Sequence, residues 1–274
     1  WKYHVEKAKI NIELNQNLEQ QALFELNLAI KKVPEKEKAS LAGLYFQRAL
    51  LEDKLNDWSK SLRDYDTALN QYDKSSKNFI FLLENKGVGS GAPCLLENFK
   101  EISWKILPDK PLEIIENRGK CYYALKNYKK ALNDFNQVLP SKDSKIYYLM
   151  SESKRYLGDY KNAIEDLNYI FENFSSKNYP RESYELFFRR GTLYEKINSQ
   201  KEAMSDYNQA IKEIISKEDF QGKFYLTQSL YNRAYLKKKI GNKKGSKKDL
   251  RVLKELHDGV MEKEDFQKLY KRLF

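Results

Sequence analysis

The residues that could do chemistry in this 274-residue chain are few and far apart. Gly87-Val88-Gly89-Ser90-Gly91-Ala92-Pro93 could offer backbone N–H groups to a phosphate. It lacks the Gly-Lys-Ser/Thr ending of a P-loop and follows no strand pattern, so it reads as a connection. The only histidines, His4 and His257, lie near no cysteine or carboxylate pattern of the kind a metal site or an acid–base pair needs. Cys94 and Cys121 lack metal-type spacing; two buried thiols is one reading and a single bridge the other. No nucleophile is accompanied by a base. The chain is therefore expected not to be an enzyme and to hold neither metal nor cofactor.

One charged pattern does recur. Arg48/Asp64, Arg118/Asp134, Arg190/Asp206 and Arg233/Asp249 are each 16 residues apart. Because the carboxylate recurs with the arginine, a structural ion pair is a better reading than four ligand-binding arginines.

The elements that must position these pairs repeat as well. Asn117-Arg118-Gly119, Tyr122, Leu125, Tyr128, Ala131-Leu132, Asp134-Phe135 and Val138-Leu139 define a pattern. It returns as Arg190-Gly191, Tyr194, Ile197, Ala203-Met204, Asp206-Tyr207 and Ala210-Ile211, and around Arg48, with weaker copies around Ser151 and Ala234. In each copy a small residue lies 12 positions before a second one: Ala49 to Ser61, Gly119 to Ala131, Ser151 to Ala163, Gly191 to Ala203 and Ala234 to Ser246. Apolar residues follow helical spacing around each, so every copy reads as two amphipathic helices in close contact. A hairpin cannot bury both of its faces, so neighbours must stack.

These motifs resemble the tetratricopeptide repeat (TPR) family. The resemblance implies an all-α, right-handed α-solenoid of helix-turn-helix hairpins. Repeats are expected near 2–34, 42–72, 112–140, 144–173, 184–216 and 227–257, forming one array with a capping helix at 262–274. The first helix of the N-terminal copy, around Val5 to Leu14, lacks the small residue. The 70-residue step from Ser61 to Ala131 leaves room for a degenerate repeat at 78–108, with helices around Asn78 to Asn85 and Pro93 to Leu107.

In this family the first helix of each hairpin lines a concave groove that holds partner segments. Carried over, that groove would be formed by Phe46, Gln47, Asn117, Tyr123, Tyr148, Arg155, Phe188, Arg189, Tyr231, Asn232, Tyr235 and Lys238. Aromatic rings beside amide and guanidinium donors suit an acidic or C-terminal peptide segment, or subunits of a larger complex. The family's clamp for chaperone C-termini is incomplete. Asn117 and Asn232 match its middle element, but Phe188 and Thr192 stand where a Lys and an Asn belong, and Leu149 replaces a basic residue.

The net charge of +11 raises RNA or another polyanion as an alternative partner. Between Arg233 and Phe274 there are 14 basic and 6 acidic residues, so most of the excess sits at one end, where a solvated helix face is the simpler reading. No apolar run is long enough to span a membrane, and the chain is expected to be soluble. It begins at Trp1 and not Met, which leaves a removed leader as an expectation and the compartment unread.

Overall fold

The computed structural model describes residues 1–13, 18–35, 40–72, 79–80, 104–105, 111–217, 222–257 and 273. Twelve α-helices occur among them. They pair as α1 (Lys2–Glu13) with α2 (Glu19–Lys32), α3 (Leu41–Lys54) with α4 (Trp58–Gln71), and α5 (Leu112–Ala124) with α6 (Tyr128–Gln137). Then follow α7 (Ser144–Tyr156) with α8 (Tyr160–Asn173), α9 (Ser183–Lys196) with α10 (Gln200–Ser216), and α11 (Lys223–Lys239) with α12 (Lys243–His257). None of the described helices is long and apolar enough to cross a membrane.

The turn inside five of the six hairpins is one device used repeatedly. The first helix ends on a residue at positive φ: Asn56, Lys126, Gly158, Asn198 or Gly241. Four of these five are Gly or Asn, the types that enter this region at least cost. The next residue's N–H then bonds five positions back, Asp57 to Glu52 O at 2.9 Å and Asn127 to Tyr122 O at 2.7 Å, satisfying carbonyls that the helix end orphans. That same residue caps the second helix in four cases, as Asp57, Asn127, Asp159 and Asn242 accept from a backbone N–H three residues on.

The small residues do the packing expected of them. A Cβ added at Gly119 would meet the Phe135 ring at 2.8 Å, and one at Gly191 would meet the Tyr207 ring at 2.9 Å. In α1 the small residue is Ala8, buried in one cluster with Ala22 and 14 rather than 12 positions before it. The N-terminal copy therefore has its small residue, displaced by two positions.

The chain divides into two compact units, Trp1–Pro140 and Ser141–Phe274. In the first, α1 to α3 share a core of Val5, Leu26, Leu44 and Leu51, and Phe46, Tyr65, Ile114 and Cys121 continue it toward α5. In the second, Ile211, Ile214, Leu226, Leu230, Val252 and Leu256 form the main cluster. Leu273 is helical and buried in that cluster; the rest of the proposed capping helix lies outside the described residues.

The degenerate repeat is corrected in part. Phe79–Ile80 and Trp104–Lys105, placed in helices by the apolar spacing, are two short strands, β1 and β2, paired antiparallel with Phe79 opposite Lys105. Aromatic and β-branched residues favour extended backbone, and pairing satisfies backbone groups that a helix would otherwise satisfy locally. β1 lies against α3. The remainder of 78–108, including Gly87 to Pro93 and Cys94, is outside the described residues.

Candidate functional site

The charged pairs come first, because they decide which side chains are free. Arg48, Arg118, Arg190 and Arg233 each grip their aspartate with two nitrogens, at 2.5 and 2.7 Å to Asp64, 2.8 and 2.8 Å to Asp134, 2.8 and 2.7 Å to Asp206, and 3.0 and 2.7 Å to Asp249. The third nitrogen of each reaches back to the preceding paired helix, to Asn27, Asp66, Asn168 and Asn208 at 2.6–2.9 Å. Each arginine thus closes its own hairpin and ties it to its neighbour. These four partners lie five residues after the small residue of their helix, a spacing that could have revealed them.

The remaining hairpins keep the acid and change the cation. Glu25 stands three residues after Ala22, as Asp64 does after Ser61, and binds His4 at 2.7 Å and Lys7 at 2.8 Å. Lys32 donates to the other His4 nitrogen at 2.9 Å. His4, which sits in no acid–base pattern of the sequence, therefore meets a carboxylate 21 residues away in space. In α7, Met150 replaces the arginine and Lys154 reaches Asp166 at 2.7 Å instead. Burial still holds the Asp166 carboxyl up at about 6. Glu52, buried beside Asp64, is pushed up to about 7, first by burial and then by the Asp64 charge, against the pull of Arg48.

Several expected groove residues are not on a surface. Phe46 and Gln47 are buried, Phe46 in the core cluster of α3 and α4. Asn117 is half-buried and donates to Glu113 O at 3.0 Å on its own helix, and Tyr123 packs edge-on against Tyr128. In the second unit Tyr148 is buried, with the Arg181 and Arg189 guanidiniums 5.6 and 5.5 Å from its ring centre. Arg189 binds Glu185 at 2.8 Å and Glu152 at 3.1 Å, and Arg155 binds Glu152 at 2.8 Å, so both are neutralised. Phe188 is half-buried against Tyr207 and Tyr225, and Asn232 donates to the Tyr207 hydroxyl at 3.1 Å. Neighbouring hairpins add cover at three of these positions: Arg181 and Arg189 over Tyr148, Glu152 at Arg189 and Tyr225 against Phe188.

Tyr231, Tyr235 and Lys238 are exposed, the two rings by 55% and 59%. Phe224, seven residues before Tyr231, is 62% exposed and joins them. On a helix this spacing sets all four in one row, opposite the buried Leu226, Leu230 and Arg233. The helix is apolar on both faces, which is why a search for one amphipathic face passes over it.

Cys121 is a free, buried thiol that donates to Asp53 at 3.0 Å, and burial raises it well above the usual thiol range. No metal-type cluster of His, Cys, Asp and Glu occurs among the described residues.

The tetratricopeptide repeat model matches residues 112–139 and 184–213, the α5–α6 and α9–α10 hairpins. No curated protein matches the chain in sequence. Its fold is similar to the C-terminal part of a TPR repeat-containing protein from Cytophaga hutchinsonii (TM-score 0.62, 15% identity, 94% of this chain and 87% of that one). It is also similar to MamA (0.54, 13%, 80% and 92%) and to YrrB (0.54, 16%, 83% and 92%). With the hairpin geometry, these findings define a tetratricopeptide-type helical-repeat protein, all-α apart from β1 and β2 among the described residues. Such a fold is in general an interaction scaffold.

Proposed function

We propose that this chain is a non-enzymatic adaptor that holds a segment of a partner protein, with the α11 row as its main anchor. The carrying observation is that Phe224, Tyr231 and Tyr235 are exposed together on a helix otherwise fixed by its buried face. Exposed rings clustered on a rigid support commonly supply binding energy, and a preformed surface needs little reorganisation. Lys238 and Lys239 at the end of the row favour an acidic or C-terminal segment. YrrB, which shares the fold, is described as a TPR protein with an unusual peptide-binding site. Reading RNA as the partner loses its motive here, because most of the excess positive charge falls between Arg233 and Phe274, at one end of the sequence, and is not carried along successive hairpins.

A pull-down with mass spectrometry identifies the partner. Affinity is then measured for Tyr231→Ala/Tyr235→Ala, with a melting curve as control. Both rings are exposed, so the fold should hold while binding weakens by about 2 kcal/mol or more. Unchanged affinity in the folded variant would move the site off α11.

A further inference from the structure

The outer face of α12 carries a charge distribution that folding does not explain. Lys243, Lys244, Lys247, Lys248, Arg251 and Lys254 are all exposed. Their spacing places them in one stripe opposite the buried Val252 and Leu256, rising about 16 Å along the helix. No ion pair with an acid occurs for any of the six among the described residues.

The arrangement works against the helix that bears it. Lys243 and Lys244 stand in the first turn, at the positive end of the helix dipole, where cations are unfavourable. Lys243/Lys247, Lys244/Lys248 and Lys247/Arg251 are like-charge pairs four residues apart, which repel. A merely solvated face would be better served by mixed charge. The same row contains no aromatic ring on which a base could stack, and only one guanidinium fork. Leu250, 44% exposed, lies at its edge, and Ile240, 59% exposed, lies in the turn before it. Lys244, Lys247, Lys248 and Arg251 also line an open cavity of about 700 Å3.

Hydrated lysines in a straight row, bordered by exposed aliphatic residues, fit a layer of anionic lipid headgroups better than a nucleic acid. We propose that the outer face of α12 docks this protein on an anionic membrane surface. The site is independent of the α11 row, so either can fail alone.

Co-sedimentation with vesicles of mixed phosphatidylserine and phosphatidylcholine, against pure phosphatidylcholine, tests this. Binding is expected only to the anionic vesicles and should fall steeply with added salt. Lys244→Glu/Lys247→Glu/Lys248→Glu/Arg251→Glu should reduce it at least tenfold. Because acids suit a helix N-terminus, the milder Lys243→Glu/Lys244→Glu should melt no lower than the parent while binding more weakly. Wild-type protein that ignores the anionic vesicles, binds both vesicle types equally, or binds as well after charge reversal would overturn the proposal. So would capture of a single-stranded RNA by the stripe with no vesicle binding.

Discussion

Arg118→Met isolates what the recurring ion pair does. Arg118 gives two hydrogen bonds of 2.8 Å to Asp134, whose side chain is 1% exposed, and one of 2.9 Å to the more exposed Asp66. Removing the guanidinium leaves Asp134 buried in the α5–α6 contact without its cation. Stranding one half of a buried pair costs about 3–5 kcal/mol, and since Arg118 itself retains some solvent contact the lower end applies. Losing the Asp66 bond adds at most about 1 kcal/mol, because that pair is largely solvated. For a unit of this size about 3 kcal/mol lowers the Tm by roughly 10 °C. Asp134→Leu added to Arg118→Met removes the stranded charge and fills the space with an apolar side chain, so the double variant should be more stable than Arg118→Met alone. Thermal melts of the wild type, both single variants and the double variant complete the cycle. Simple additivity would show that the two side chains are not coupled, and the account of all four arginines would fall with it.

Glu52→Gln should change the pH dependence of stability. Between about 4.5 and about 7 the folded chain holds a proton on Glu52 that the unfolded chain has released, so this group's contribution falls as pH rises through that window. The cost at pH 8 is on the order of 3 kcal/mol, and Glu52→Gln should recover part of it while matching the wild type near pH 4.5; a constant offset between the two pH profiles would refute the assignment. Gly119→Ala tests helix approach. A methyl 2.8 Å from the Phe135 ring forces a shift that costs about 1–3 kcal/mol, against about 1 kcal/mol gained in helix propensity. Chemical denaturation should show a net loss, and a stabilised variant would mean that the ring gives way freely. The α11 double variant and the α12 charge reversal, described above, separate the two proposed surfaces.

The hairpins were legible in the sequence because the features that make them are local. Helical spacing of apolar residues, small residues at the crossing, and turns such as Leu157-Gly158-Asp159 act within some thirty residues and leave their order in the chain. The four Arg–Asp pairs were legible for the same reason, at a constant separation of 16. The equivalent contacts in two other hairpins were not, because the partners changed type: Glu25 meets His4 and Lys7, and Asp166 meets Lys154.

Exposure needed the tertiary structure. Phe46 and Tyr231 hold the same register, three residues before a small packing residue, yet one is buried among α3, α4 and α5 residues and the other is open. Tyr148 and Phe188 hold the same register and are covered, Tyr148 by Arg181 and Arg189 and Phe188 by Tyr225. Register fixes the direction of a side chain relative to its own helix. What covers that side chain comes from another hairpin, tens of residues away, and only packing brings the two together. The pairing of β1 with β2 across 79–105 has the same origin: its hydrogen bonds belong to residues with no local relation in the chain.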